Sequence, residues 1–260
     1  MTTAIDQNKK FEPYIIHAGD YFSLEEIPLL EVLEHVRQYK LLVLRGFAAM
    51  ECKQFLKYCQ SQAKLLFWES GPVMEMKVDA QTRNYLFTNG DVPLHWDGAF
   101  YQEPRYLVFH CLQAPLENSG GETLFINTEM VWERLNRVEQ EEWREYELSF
   151  STEKLAHYGG NIRRKLVDFH PDTGAVILRY AEPVDERYLN PVTVKVTGKN
   201  TQESTEIIQK IRHKMRSPCV CYAHQWNEGD YLLADNFSLL HGRNAFHKNS
   251  PRHLRRIQIL

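Results

Sequence analysis

From residue 85 onward, the chain consists mainly of short apolar or alternating runs separated by turn residues. Runs of this length and composition predict β-strands, and several of them at short intervals predict a sandwich or barrel rather than a helical bundle. We therefore expect a protein with β-sheet at its core. The predicted strands cover residues 85–87, 105–112, 122–126, 175–180, 218–226, 231–234 and 254–259.

Helical patterns precede and interrupt this series. Residues 24–39 place apolar side chains near helical spacing, and Ser23 with Glu26 forms a capping-box pattern at their start. The block 41–45 that follows is apolar and predicts a buried strand. The expected architecture is α+β, with a double-stranded β-helix (jelly roll) core and flanking helices. Further helices are expected at about 51–65 and, as inserts in the strand series, at about 128–146 and 201–216.

No repeat, low-complexity tract or linker rich in proline and glycine divides the 260 residues. A chain of this length with 43% hydrophobic residues can bury a substantial core. We therefore expect one domain over residues 1–260.

Charge and hydropathy exclude several classes of partner. The chain carries 31 Lys and Arg against 34 Asp and Glu, without a long run of either sign, which argues against nucleic acid. Apolar blocks such as 41–44 are far shorter than the roughly 20 residues that span a bilayer. The polar start, residues 1–10, lacks the apolar stretch of a secretory signal. We expect no membrane partner and a cytoplasmic location, and leave the oligomeric state open.

The five cysteines form an odd count without a CxxC pair. This pattern indicates neither a disulfide framework nor a zinc ribbon. Cys219 and Cys221 would share one face of a strand, but we favour buried small hydrophobes over metal ligands there.

A His-x-Asp motif at His95 and Asp97 suggests a metal site. In a strand or at its end, residues i and i+2 share a face, so the imidazole and the carboxylate can converge on one ion. His241, much later in the chain, would complete the set. Two imidazoles and one carboxylate leave three positions of an octahedron open, as an oxygen-activating ferrous site requires. The isolated motif is weak evidence, because His and Asp are often two residues apart by chance.

The segments around these residues carry a family resemblance. They are HWDGAFYQEPRY from His95, GGETLFIN from Gly120, and the last 26 residues, from Asp235 onward. Thr123 lies 26 residues after Asp97, and an arginine lies 11 residues after His241. In these features, the chain resembles the TauD/TfdA family of Fe(II)/2-oxoglutarate dioxygenases, over roughly residues 46–260.

The resemblance implies site residues as well as cofactors. The cofactors are Fe(II) and the co-substrates 2-oxoglutarate and dioxygen, and the metal ligands are His95, Asp97 and His241. Arginine can meet a carboxylate with two charge-assisted hydrogen bonds, which suits the far end of 2-oxoglutarate. The remaining implied roles are Thr123 and Arg252 for that carboxylate, and Arg256, Asp91 and Phe100 for the substrate.

The expected reaction couples oxidative decarboxylation of 2-oxoglutarate to hydroxylation or desaturation of a small organic acid. Residues 86–106 are most similar to enzymes that modify tyrosine-derived isonitriles in bacterial secondary metabolism, of the paerucumarin or pyoverdine type. An alternative is a cupin-like metal-binding protein without turnover, which would have no use for a carboxylate anchor such as Arg252. A zinc hydrolase would require a general base beside the metal, and no HExxH signature is present.

Overall fold

Two β-sheets of unequal size carry most of the regular structure in the computed structural model, which describes residues 9–19, 22–79, 81–155 and 158–260. The strands are β1 (Tyr14–His17), β2 (Leu41–Arg45), β3 (Val73–Lys77), β4 (Val92–His95), β5 (Tyr106–Gln113), β6 (Thr123–Asn127), β7 (Glu147–Leu155), β8 (Tyr158–Lys165), β9 (Val167–Phe169), β10 (Val176–Leu178), β11 (Thr193–Val196), β12 (Cys221–His224), β13 (Tyr231–Asp235), β14 (Leu239–Arg243) and β15 (His253–Ile259). The helices are α1 (Leu29–Tyr39), α2 (Cys52–Gln60), α3 (Thr128–Arg134), α4 (Arg137–Glu145) and α5 (Thr201–Met215).

The larger sheet has six strands in the order β1-β2-β13-β5-β15-β3, antiparallel except for the pair β1 and β2. The smaller sheet has four antiparallel strands in the order β12-β6-β14-β4. Phe109 and Leu232 of the larger sheet join Phe125 and Leu239 of the smaller sheet in one buried cluster. The two sheets therefore face each other, with apolar side chains between them.

Helices and a third sheet cover the outer faces. Apolar side chains of α1 and α2 pack on the six-stranded sheet. The helices α3, α4 and α5, together with the three-stranded sheet β11-β7-β8, pack against the four-stranded sheet. The result is an α+β arrangement, as the sequence predicts, and its strands hold the residues of the site.

Two predicted elements are wrong, for local reasons. Residues 85–87, predicted as a strand, form a 3-10 helix in which the Asn84 side chain accepts a hydrogen bond from Leu86 N. The capping box at Ser23 is present, but it caps a separate 3-10 turn, Leu24–Glu26, and α1 begins only after Pro28. Proline disfavours helical geometry at the residue before it, so the helix cannot start earlier.

Other predicted bounds need correction, and some strands were missed. The insert 128–146 is two helices, because Asn136 caps a new helix one residue after α3 has ended at its C-cap. The helix predicted over 51–65 ends at Gln60. The strands β1 and β3 were not predicted. Nor were β7, β8, β9 and β11, which lie in the segment where the family resemblance is weakest.

Within the described residues, no helix is long and apolar enough to cross a membrane. Residues 1–8 of the polar start lie outside the described part. All five cysteines are free, and Cys219 lies in a turn before β12 rather than sharing a strand face with Cys221.

A buried ion pair ties the larger sheet together. The Asp230 carboxylate accepts hydrogen bonds from Arg45 Nε at 2.8 Å, Arg45 Nη2 at 2.7 Å and Asn227 N at 3.0 Å. Burial alone would raise the pKa of Asp230, but the hydrogen bonds from Arg45 and Asn227, with His224 Nε2 3.5 Å away, outweigh burial and lower the pKa to about 2. A carboxyl whose pKa is lowered by folding stabilises the fold only while it is ionised.

We predict that Asp230→Asn lowers the free energy of unfolding by about 2 kcal/mol at neutral pH. The Asp230 contribution is present above the unfolded pKa, about 4, and is lost as the pH falls towards the folded value. Urea unfolding of Asp230→Asn and of the unaltered protein should be measured from pH 7 down to pH 3. The difference between their free energies of unfolding should become smaller below about pH 4. A gap independent of pH would contradict the role assigned to Asp230.

Candidate active site

Three metal-ligating side chains converge where β4 and β14 pair. His95 ends β4, and the register of the two strands places it directly opposite His241 of β14, with ring centroids 4.3 Å apart. Asp97 follows two residues after His95. Its Oδ1 lies 3.5 Å from His95 Nε2 and 3.6 Å from His241 Nε2. In the part of the chain that the structure describes, these three form the one group of His, Cys, Asp and Glu that could hold a metal ion.

The donor set fits a first-row metal ion. Ligands at right angles around an ion bonded at about 2.1 Å lie about 3 Å apart, so small movements would close the set around one ion. His241 Nε2 is buried and has no hydrogen-bond partner, as expected of a nitrogen whose lone pair is meant for a metal. Burial, and then the neighbouring His95, lower the pKa of His241 well below its usual range, so its imidazole is neutral and able to coordinate.

Outer contacts orient the ligands. His95 Nδ1 lies 2.8 Å from the Pro93 carbonyl oxygen, so a proton on Nδ1 leaves Nε2 free for the metal. The second oxygen of Asp97, Oδ2, accepts a hydrogen bond from Gln258 Nε2 and lies 2.9 Å from Arg256 Nη1. Burial alone would raise the pKa of Asp97, but Arg256 together with His241 and His95 outweighs burial and holds that pKa far below its usual range. Asp97 is therefore ionised, with Oδ1 left for the metal.

Asn236 holds the backbone of Asp97 and was missed by the sequence analysis. Its Oδ1 accepts a hydrogen bond from Asp97 N at 2.9 Å, while its Nδ2 donates to Asp97 O at 3.0 Å and to Pro104 O at 2.9 Å. The following turn is equally constrained, because a Cβ on Gly98 would lie 2.1 Å from Gln102 O. Asn236 follows Asp235 in one of the segments that carry the family resemblance. This position is the one sequence signal for Asn236.

A cavity of about 500 Å³ reaches His95 and Asp97. Its other polar lining residues are Glu69, Ser70, Asn84, Glu182, Asn190, Arg256 and Gln258. Phe100, predicted to contact the substrate, lies in its wall. The other aromatic and aliphatic side chains of the wall include Tyr85, Phe87, Trp96, Phe150, Val184 and Val192. A cavity of this size and composition fits a small, largely apolar molecule with an acidic group.

The structure does not bring Asp91 to this cavity. Asp91 is exposed, and its Oδ1 accepts a hydrogen bond from Ala245 N at 2.7 Å. Sequence spacing alone could not show this, because the orientation of Asp91 is set by a loop more than 150 residues later in the chain.

Thr123 and Arg252 meet as a pair. Arg252 Nη2 donates to Thr123 Oγ1 at 3.2 Å, and Arg252 Nε donates to Gly121 O at 3.1 Å. Arg252 is buried, and no carboxylate lies within 4 Å of it among the described residues. Burial, and then the nearby Arg243, lower its pKa to about 9. A buried guanidinium without an anion is unfavourable unless a ligand supplies one.

Comparison with known proteins identifies the family. The model of the family described as "Taurine catabolism dioxygenase TauD, TfdA family" matches residues 8–258. The chain belongs to the TauD/TfdA family. The geometry of His95, Asp97 and His241 points to the dioxygenases of this family.

Several relatives match the chain over most of its length. A 3-((Z)-2-isocyanoethenyl)-1H-indole synthase from Fischerella ambigua is 43% identical over 271 residues, covering 100% of this chain and 99% of the relative. A tyrosine isonitrile desaturase from Pseudomonas aeruginosa is 34% identical over 239 residues, covering 90% and 82%. The solved structure of PvcB, an Fe, alpha-ketoglutarate dependent oxygenase from an isonitrile synthetic pathway, has a TM-score of 0.77 at 30% identity, covering 96% and 89%.

We predict that Asn236→Ala weakens metal binding by roughly 10- to 100-fold, the usual cost of losing a contact that orients a metal ligand. Asn236→Asp keeps the acceptor for Asp97 N but loses both N–H donors. Its metal affinity should therefore lie between that of Asn236→Ala and that of the unaltered protein. Anaerobic titration with Fe(II) measures the affinity, and circular dichroism checks the fold. The matched control is Asn244→Ala, which removes an amide that bonds Glu122 instead. Unchanged affinity in folded Asn236→Ala would refute the role of this amide.

Proposed function

We propose that this TauD/TfdA chain is an Fe(II)- and 2-oxoglutarate-dependent dioxygenase that desaturates an isonitrile acid derived from an aromatic amino acid. The observation that carries the proposal is the pairing of two features on neighbouring strands. One is the convergence of His95, Asp97 and His241, and the other is the buried Arg252 beside Thr123 without a protein anion.

The spacing of these two features suits 2-oxoglutarate. Thr123 of β6 is paired with Arg243 of β14, which is two residues beyond His241. Two residues of a strand span about 7 Å, so the Thr123 hydroxyl lies within reach of a short dicarboxylate that starts at the metal. We assign Arg252 and Thr123 to the far carboxylate of 2-oxoglutarate, to which Arg252 can donate two parallel hydrogen bonds.

The metal residues leave room for this co-substrate and for dioxygen. Two imidazoles and a carboxylate on one face are typical of non-haem iron(II) oxygenases. When bound, iron(II) would supply the open positions at which 2-oxoglutarate chelates and dioxygen is activated. Arg256 and Gln258 occupy the outer oxygen of Asp97 and so favour coordination through Oδ1 alone. Because Asp97 fills the third ligand position, we expect no halide there and no chlorination.

The proposed substrate class comes from the relatives and suits the cavity. The named relatives make an isocyanoethenyl indole and desaturate tyrosine isonitrile, and both substrates are aromatic. Phe100 and the other apolar residues of the wall would hold the ring. Arg256, a cation in the cavity whose Nε is buried without a partner, would meet the acid group. For a product that keeps its acid group, the reaction would consume substrate, 2-oxoglutarate and dioxygen and release alkene, succinate, carbon dioxide and water, so that both hydrogens leave in water. An isocyanoethenyl product has no acid group. Its formation from an isonitrile acid would also release the carboxyl carbon as a second carbon dioxide, and the hydrogens that leave in water would be one C–H hydrogen and the acid hydrogen.

We also propose that the two facing sheets are a double-stranded β-helix (jelly roll) and that residues 1–260 form one catalytic domain. The antiparallel pairing of β6, β14 and β4 against a second sheet supports this view. The cytoplasmic location and the absence of a nucleic-acid partner stay predictions.

The alternative, a cupin-like metal-binding protein without turnover, accounts for less of the site. Such a protein could bind a metal through His95, Asp97 and His241. It would not account for the buried charge of Arg252. The cost of burying an unpaired cation argues that this position is retained for an anionic ligand.

We predict that Arg252→Ala raises the 2-oxoglutarate concentration needed for binding by roughly 30-fold or more, because a charged partner of a carboxylate is lost. Arg252→Lys should recover part of the loss, since a point charge cannot reproduce the planar fork. Anaerobic titration of the Fe(II) protein with 2-oxoglutarate, followed by its visible charge-transfer band, measures the change.

The matched control for this prediction is Arg255→Ala. Arg255 points to the opposite face of β15, where its Nε donates to Glu75 Oε1 at 2.7 Å. Fe(II) content should be near normal in all variants. If Arg252→Ala binds 2-oxoglutarate as tightly as Arg255→Ala does, Arg252 is not the anchor.

A further inference from the structure

A buried polar atom without a partner among the described residues lies in the wall of the cavity. The side-chain oxygen of Asn190, Oδ1, is buried and accepts no hydrogen bond from the described residues, and Asn190 lines the cavity. Leaving such an acceptor unsatisfied is costly, so buried acceptors in native proteins usually have a partner. A ligand in the cavity is the partner available to it.

The position of Asn190 separates it from the metal residues. Glu182 lies beside β4, since its backbone N donates to Leu94 O at 2.8 Å. Two residues later, after about 7 Å of extended chain, Val184 pairs with Val192. Asn190 lies in the loop that follows Val184, on the side of this pair away from Glu182. Asn190 therefore lines the cavity from a different segment than the strands that carry His95 and His241.

Apolar side chains line the same cavity as Asn190. Val184 and Val192 belong to the same buried cluster as Trp96 and Phe150, and all four line the cavity. Trp96 and Phe150 meet edge to face, with ring centroids 5.4 Å apart. A flat aromatic ring suits such a wall, and one hydrogen-bond donor on the ring would satisfy Asn190.

We infer that Asn190 determines specificity by accepting a hydrogen bond from a donor on the aromatic ring of the substrate. The inference rests on the proposed function, because the ring belongs to the isonitrile acid proposed above. The phenol of tyrosine has an O–H donor and the indole of tryptophan has an N–H donor. A site built to hydrogen-bond a substrate strongly rejects the analogue that lacks the donor, because its own polar group is then left unpaired.

The test compares substrates with and without the donor. The first pair is the isonitrile acids of tyrosine and phenylalanine, and the second is the tryptophan-derived acid and its benzothiophene analogue. Asn190→Leu removes the acceptor at similar size, whereas Asn190→Asp keeps an acceptor and removes the amide N–H groups. The matched control is Leu189→Ala, since Leu189 is exposed in the same loop and does not line the cavity.

Asn190→Leu should lower kcat/KM for the donor-bearing substrate by roughly 10- to 100-fold and leave the donor-free analogue within about 3-fold. Asn190→Asp should retain the preference for the donor, and Leu189→Ala should behave as the unaltered protein does. The 2-oxoglutarate affinity should be the same in all four proteins, which shows that the metal and co-substrate sites are intact.

The outcomes separate this inference from the proposed function. Two results would overturn the assignment of Asn190 while leaving the proposed substrate class in place. One is that Asn190→Leu lowers kcat/KM equally for both members of a substrate pair. The other is that Asn190→Asp no longer prefers the substrate with the donor. If the unaltered protein binds 2-oxoglutarate but converts none of the acids, the proposed substrate class fails, and the assignment of Asn190 fails with it.

Discussion

The pairing of β4 with β14 is the constraint on which the site depends. It places His95 directly opposite His241, and a slip of one residue would turn one of the two imidazoles to the other face of the sheet. Side chains from elsewhere hold β4 in place. Glu182 accepts a hydrogen bond from Leu94 N at 3.0 Å and binds Arg212 and Arg216 of the α5 region, and Asn236 holds the backbone just after His95.

Two buried cations, Arg252 just before β15 and Arg256 within it, define what the space between the sheets can bind. Arg252 and Arg256 are four residues apart and both point inward, as strand alternation predicts, whereas Arg255 faces the other way and pairs with Glu75. Arg256 is already balanced by Asp97, whereas Arg252 has only neutral partners among the described residues. An interior with this arrangement favours a metal at one position and an organic anion at another.

The sequence was sufficient for the residues that act locally and insufficient for those that act across the fold. His95 and Asp97 could be predicted because two residues at the end of a strand share a face, and Arg252 and Thr123 because the family resemblance covers their segments. Asn236 could not be predicted, because its partners depend on the register of distant segments. Asn190 could not be predicted either, because its place in the cavity wall depends on the path of the chain around it. For Asp91, the spacing in the sequence could not show that its carboxylate accepts a hydrogen bond from Ala245 N.

The most direct test of the account is turnover under labelled dioxygen. The Fe(II) protein is incubated with 2-oxoglutarate and the tyrosine- or tryptophan-derived isonitrile acid in ¹⁸O₂, and the products are analysed by mass spectrometry. We expect an unlabelled alkene product that has lost two hydrogens, or two hydrogens and carbon dioxide where the product is an isocyanoethenyl compound. We also expect succinate that has gained one labelled oxygen and forms only when substrate is present. Label in the organic product would show hydroxylation instead of desaturation. Succinate formation that is independent of the substrate would contradict the coupled reaction.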